Sequence, residues 1–242
     1  MPPREELVYD EEQPCPYRDG MVSRLPHRWQ RRMLSPVEFD QSLAEGDRRV
    51  GRMLYRTACP ACVACEPLRI PVAEWQPSRS QRRVWRRNED LQVEVGPASF
   101  SEEKLALYNR HKSERGLARS EEPMSRSSYE RWFVLSCTRT VEMRYTLAGR
   151  LVGLGIVDVG QLDASSVYFF FDPDESRRSL GVMSVMAEIA WLKAQGGRFH
   201  YLGLYVEDCR HLVYKATYLP HERRIGGAWQ RALSVPAEET AP

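Results

Sequence analysis

Residues 141–204 carry the pattern that most restricts the fold. Three runs rich in β-branched and aromatic residues, Val141–Leu147, Leu151–Val159 and Ser166–Phe171, are joined by Ala148-Gly149-Arg150 and by a short linker over 160–164. Linkers that short favour antiparallel pairing. A polar loop follows Asp172-Pro173, and then a segment from about Ser179 to Gln195, apolar nearly all round, is closed by Gly196-Gly197. A helix without a polar face belongs in an interior, packed on a sheet. A β-type run, Phe199–Leu204, comes next.

This order of antiparallel meander, buried helix and further strand predicts an α+β fold, with an antiparallel or mixed sheet core of the N-acetyltransferase-like (GNAT) kind. An irregular Cys/Arg-rich segment precedes it, with β-type runs at Gly51–Arg56 and Leu68–Val72, a helix over about 80–88, a strand at Leu91–Val95 and a break at Gly96-Pro97. The break divides the chain into an N-terminal domain over 1–98 and a C-terminal one over 99–242. In the second, Ser101 caps a helix that ends near Gly116, with Phe100 and Leu105 as a hydrophobic staple. Short helices over 128–135 and 206–214 and a last strand over 225–229 complete the prediction. The Pro/Glu-rich ends, to about residue 14 and from Ser234, are expected to be mobile.

At 242 residues and 42% hydrophobic, the chain can bury a substantial core. No run approaches the roughly 18–20 apolar residues of a membrane span, and the charged N-terminus lacks the apolar core of a secretory signal. Both point away from a membrane and to the cytoplasm. Disulfides are rare there, so the six cysteines need another explanation. With 35 basic against 33 acidic residues, no global charge steers the chain to nucleic acid, and any basic surface must be local.

Four constellations carry chemistry. Cys59, Cys62 and Cys65 form C-x2-C-x2-C, and Cys15 lies upstream; four thiolates suit zinc or an iron–sulfur cluster, or stay reduced thiols in a loop. The run 78–87 holds Arg79, Arg82, Arg83, Arg86 and Arg87 without an acid. On a helix the first four share one face, a footprint for phosphate or carboxylate, while Val84 and Trp85 turn inward. At the strand-to-helix junction, Asp172 sits where a buried strand surfaces, and Arg178, Ser179 and the following helix start offer anion donors. Near the end, His211, Tyr214 and Lys215 can line one pocket wall, with His211 more often structural than catalytic.

Taken together, CPY at 15–17, LAEGDRRVGRMLYRTACPACVAC, SRSQRRVWRRNEDL, LYNRHKSERG, SSVYFFFDP with RRSLGV, and YLG with VYKATYLPHE resemble the arginyl-tRNA protein transferase family, and within it the bacterial aspartate/glutamate leucyltransferases. The resemblance implies transfer of leucine or arginine from aminoacyl-tRNA to the α-amine of proteins beginning with Asp or Glu, marking them for degradation. It needs no cofactor for the chemistry. Under it, Asp172 orients the amine or takes its proton, Tyr168 or Tyr214 stabilises the oxyanion, Arg178 and Lys215 meet the tRNA 3′ end, and the Arg79–Arg87 face meets tRNA phosphate or the acceptor's acidic side chain. A rival is an acyl-CoA-dependent N-acetyltransferase, favoured by R-x-x-G at Arg178 and Gly181 but opposed by Met183 where a small residue is usual. A zinc-stabilised nucleic-acid-binding module is a third reading.

Overall fold

The computed structural model describes residues 4–118, 120 and 122–234. The N-terminal part holds β1 (Glu5–Tyr9), β2 (Glu12–Pro14), β3 (Val22–Arg24), β4 (His27–Gln30), α1 (Pro36–Ala44), β5 (Arg48–Val50), β6 (Met53–Tyr55) and β7 (Glu66–Pro71). Then come α2 (Arg79–Arg87), β8 (Gln92–Pro97), α3 (Glu102–Glu114) and α4 (Arg126–Tyr129), the last running into a π turn over Glu130–Val134. The remainder is β9 (Arg139–Leu147), β10 (Arg150–Val159), β11 (Ala164–Phe171), a 3-10 turn Pro173–Arg178, α5 (Leu180–Ala194), β12 (Phe199–Tyr205), a 3-10 turn Val213–Thr217, β13 (His221–Ile225) and β14 (Ala228–Ala232).

The result is a mixed α+β fold on an eight-stranded sheet in the order β14-β13-β7-β12-β11-β10-β9-β8. Two of its strands precede residue 98 and six follow it. Every neighbouring pair is antiparallel except β11 and β12, which α5 connects in parallel. Side chains alternate along β10: Val152, Val157 and Val159 join α5 in one core, while Leu151, Leu154 and Ile156 meet Leu107 of α3, Tyr129 and Phe133 in another. Burying each such side chain contributes about 1.5–3 kcal/mol. The expected meander and interior helix are present, and α5 keeps Leu180, Met183, Met186, Ile189 and Leu192 buried.

Several expectations change. The N-terminal stretch is not loose from residue 5 onward, since β1 pairs with β4 in a four-stranded sheet β1-β4-β6-β5; the tail beyond 234 lies outside the described residues. β8 runs through the expected break to Pro97, which an edge strand tolerates because a proline there breaks no ladder bond needed by a second neighbour. The expected 206–214 helix is turns followed by the 3-10 segment at 213–217. The expected last strand is a hairpin, because Gly226 and Gly227 both take positive φ and supply a two-residue reversal.

Buried polar ties fix the N-terminal part on the sheet. Arg49 Nε donates to Asp158 at 2.5 Å, with both side chains 1% exposed. Asp40 of α1 accepts the backbone N–H groups of Gln161, Leu162 and Asp163 at 3.1, 2.9 and 3.2 Å. α1 itself begins on a capping box, Ser35 with Glu38, with Pro36 in its first turn.

Candidate active site between parted strands

β11 and β12 pair only through Ala164–His200 and Ser165–Tyr201, after which the strands part towards their C-terminal ends. A register shift on each side bends them: β11 slips against β10 beside Val167, and β12 slips against β7 beside Leu202. A wedge opens between them, with α5 behind it.

One wall of the wedge comes from far upstream. The Arg48 guanidinium lies against Gly203, and its Nη2 donates to the Ser166 carbonyl at 3.4 Å. Gly203 is favoured by a φ of +81°, and a Cβ there would lie 2.1 Å from Arg48 Nη1, so any side chain would displace the guanidinium from its present place. That Nη1 is buried and has no partner. The neighbouring arginines differ: Arg28 and Arg56 pair with Asp47, and Arg49 pairs with Asp158. Among the described residues Arg48 has no ion pair.

Behind the wedge, Glu188 of α5 is 2% exposed. Ser184 Oγ donates to its Oε1 at 2.7 Å, Ser166 Oγ donates to Oε2, and His200 Nε2 lies 2.9 Å from Oε2. No lysine or arginine neutralises this carboxyl by an ion pair among the described residues. Tyr214 is 44% exposed, yet burial of its hydroxyl, together with the Glu188 charge, pushes its pKa up, with Arg48 pulling the other way. Lys215 donates from Nζ to the Leu204 carbonyl at 2.6 Å. Burial, then the Arg48 charge, pushes its ammonium down to about 7. Tyr214 and Lys215 therefore join Arg48, as the sequence suggested for a pocket wall, whereas His211 is exposed on the preceding turn.

The turn after β11, at the end of the sheet where the strands part, carries the basic helix. Ser78 and Gln81 form a capping box that starts α2. Gln81 and Asn88 are buried, while Arg79, Arg82, Arg83, Arg86 and Arg87 are all exposed. Trp85 does not turn inward as expected: it is 39% exposed, because the inward face is taken by Gln81, Val84 and Asn88, three and four residues apart. Asn88 Nδ2 donates to the Arg178 carbonyl at 2.9 Å, and Arg87 Nη1 to the Arg177 carbonyl at 2.5 Å. α2 is thereby docked on the turn that follows β11.

Arg178 is committed to this joint. It forks onto Asp90 at 2.8 and 3.0 Å, donates to Glu175 at 2.8 Å and reaches the Arg87 carbonyl at 3.1 Å. Ser179 takes a left-handed conformation with φ of 58° and no side-chain cap bond. Both hold the turn together, which corrects the reading of the pair as anion donors.

Asp172 and Tyr168 also stand apart from the wedge. Asp172 caps the 173–178 turn through Asp174 N at 3.1 Å, and Arg110 and Arg150 both donate to its carboxylate, the former at 2.7 Å. Two guanidinium groups neutralise it, leaving no charge to hold a substrate ammonium. Tyr168 packs with Tyr108, Phe133 and Phe170 on the α3 face. Ser166, by contrast, faces α5; the bulge beside Val167 separates the two.

The four N-terminal cysteines share one neighbourhood. Burial pushes the Cys65 thiol up to about 12, with Cys59, Cys15 and Cys62 adding to the effect, while Cys62 is lowered by the Ala64 backbone and by Arg18, whose Nη1 lies 3.6 Å from its sulfur. Four thiols have the chemistry for zinc or an iron–sulfur cluster. Among the described residues, no three His, Cys, Asp or Glu side chains are gathered into a ligand shell. Cys65 adjoins β7, whose Glu66 pairs with Tyr205, so the thiols lie at the parted end of the sheet.

Two family profiles match this chain: Arginine-tRNA-protein transferase, N terminus, over residues 13–83, and Arginine-tRNA-protein transferase, C terminus, over residues 103–225. The chain belongs to the arginine-tRNA-protein transferase family. Similar family members include an aspartate/glutamate leucyltransferase of Shewanella oneidensis, 34% identical over 90% of each chain. One of Methylobacillus flagellatus is 35% identical over 76% of this chain and 75% of its own. These names mark the family's members as aminoacyltransferases. Among solved structures, the C-terminal domain of a putative lysylphosphatidylglycerol synthetase from Agrobacterium fabrum overlaps 76% of this chain and 56% of its own, at 12% identity and a TM-score of 0.47, too loose to assign a fold.

Sequence reasoning missed Arg48, Ser166, Glu188, His200 and Gly203 as a group. One signal was visible: Glu188 is the lone acid in a helix whose other polar side chains are only Ser184 and Lys193, and a buried carboxyl must have hydrogen-bond partners. Arg48 gave no such signal, since it stands in an arginine-rich chain next to Arg49.

Proposed function

We propose that this family member transfers leucine from leucyl-tRNA to the α-amine of proteins that begin with Asp or Glu, tagging them for degradation, and that the parted strands hold the reacting ends. The observation that carries the reading is the docking of α2 through Arg87, Asn88 and Arg178 at the end where the strands part. Five exposed guanidinium groups and the Trp85 indole then border the approach to the wedge, suited to nucleic-acid backbone and a stacked base. The relatives' names support leucine. A reaction on charged tRNA supports a cytoplasmic location, and no described helix is long and apolar enough to cross a membrane.

The ester is already activated, so the protein's task is positioning. The amine lone pair attacks the leucyl carbonyl carbon and a C–N bond forms. The tetrahedral oxyanion then collapses, breaking the C–O bond to the ribose, and the tRNA hydroxyl leaves with a proton. An α-amine of pKa near 8 is about one-tenth neutral at pH 7, so removing its proton is a small demand. Glu188 supplies the negative pole that draws the ammonium into the wedge before it loses that proton. The Tyr214 hydroxyl, kept protonated by burial, donates to the oxyanion. We assign the cysteines no step in the transfer.

The parallel pair that parts, with α5 between its strands, supports an N-acetyltransferase-like core. Acyl-CoA chemistry gains nothing from it, because Arg178, which that reading needs for a pyrophosphate, is held by Asp90 and Glu175.

The test is purified protein with radiolabelled leucyl-tRNA or arginyl-tRNA and acceptors beginning with Asp, Glu or a neutral residue, alongside acetyl-CoA. Leucine on the acidic N-termini is the expected product. Label from acetyl-CoA alone, or none at all, overturns the reading.

A further inference from the structure

The wedge contains a guanidinium without a carboxylate partner and a carboxyl with no lysine or arginine beside it, and one residue touches both. Ser166 accepts from Arg48 at its carbonyl and donates to Glu188 from its hydroxyl. A half-buried guanidinium with a free, desolvated Nη1 is costly unless a carboxylate or another anion completes it. The chain supplies that match for its neighbours, as in Arg49–Asp158 and Arg69–Glu222, but not here. The seat is also built for the guanidinium: Gly203 leaves no Cβ in its way, and the buried Arg49–Asp158 pair fixes β5, so that Arg48, the next residue along a strand, must point to the opposite side. The wedge is not sealed, since Tyr214, whose hydroxyl feels both charges, is 44% exposed.

We infer that Arg48 is the residue that recognises the acidic side chain of the acceptor. The inference rests on the transfer reading above and names the group that makes it selective. An N-terminal Asp or Glu is a cation and an anion a few bonds apart, the complement of Glu188 and Arg48 across Ser166. The side-chain carboxylate takes the free Nη1 of Arg48, a planar donor suited to a carboxylate's two oxygens. Asn or Gln at the same place leaves the guanidinium unneutralised, so the uncharged analogue is rejected although it has the same shape. The five arginines of α2 are then left to the tRNA, and no acceptor side chain needs to reach them.

Two labelled peptides that differ only in N-terminal Glu or Gln, and leucyl-tRNA with an amide in place of its ester, are titrated by fluorescence anisotropy against wild type, Arg48→Met and Arg48→Lys. Arg48→Met is expected to weaken the Glu peptide about 30-fold or more and to leave the Gln peptide and the tRNA analogue within about threefold. Arg48→Lys, which keeps the charge but not the planar donors, falls between and remains readable if Arg48→Met does not fold. An equal loss on both peptides, which a structural role would give, overturns the inference, as does unchanged binding of the Glu peptide in both variants. Wild type that transfers leucine with no preference for acidic N-termini defeats the acceptor half of the proposed function instead. A preference that survives in the Arg48 variants defeats the inference alone.

Discussion

Two carboxyls of the same sheet system, Asp172 and Glu188, are equally buried at 2% exposure and are treated in opposite ways. Asp172 lies at the end of β11 between Arg110 and Arg150 and caps the turn that follows. Glu188 lies behind the wedge among two serines and a histidine, with no arginine or lysine beside it. A charge that the protein neutralises has been used for architecture; one that it leaves open remains free to act on a ligand. The turn is built from such closed pairs, and the wedge keeps a carboxyl without a guanidinium and a guanidinium without a carboxyl.

The comparison can be broken by substitution. The largest effect is expected where the wedge is tethered: Arg49→Met leaves Asp158 buried without its cation, which costs about 3–5 kcal/mol and lowers the melting temperature by roughly 8–15 °C in thermal unfolding. At temperatures where this variant is folded, transfer is expected to fall more than about tenfold, because Arg48 loses its aim; full activity there would show that β5 does not set the wedge. Next, Glu188→Gln keeps shape and most hydrogen bonds but removes the open charge. Initial rates of transfer should drop about 100-fold with a melting temperature within a few degrees of wild type. Asp172→Asn should do the reverse. Arg110 and Arg150 are 38% and 51% exposed, so solvent screens the pairs and the loss is only about 1–2 kcal/mol, or roughly 3–6 °C, with less than fivefold change in rate. Exchange of these two outcomes would invert the comparison. The smallest effect is expected for Arg83→Ala on α2, weakening leucyl-tRNA binding by less than about tenfold and reducing the slope of log affinity against log salt by about one. A slope that does not move would remove Arg83 from the tRNA path.

The local half of this comparison was legible in the chain. Asp172 was noticed because it follows an apolar strand, and the meander and interior helix were read from runs and loop lengths that are close in sequence. The basic helix was legible for the same reason, although its inward face was not: Gln81 and Asn88 are polar, and only their docking against the turn after β11 explains why they are buried and Trp85 is not. α1 carried a readable signal in Ser35-Pro-Val-Glu38, a capping box before an amphipathic stretch, that the sequence reading did not use. The wedge was not legible, because Arg48, Ser166, Glu188 and Gly203 come from four elements and no short-range pattern links them. Strand parting is a property of pairing between β11 and β12, two strands separated by a whole helix, and β7, the other neighbour of β12, lies more than a hundred residues before it.

That placement of β7 has a consequence for the birth of the protein. Its neighbours in the sheet are β12 and β13, so its Leu68 and Ile70, fully buried at the end, have nothing to pair with until residues near 205 and 225 have emerged. At the usual 5–20 residues per second, about seven to thirty seconds of translation separate β7 from its partners. During that interval the nascent chain presents apolar side chains and unmatched ladder edges to the cell. The eight-stranded sheet therefore closes around β7 only after the second half of the chain has been made.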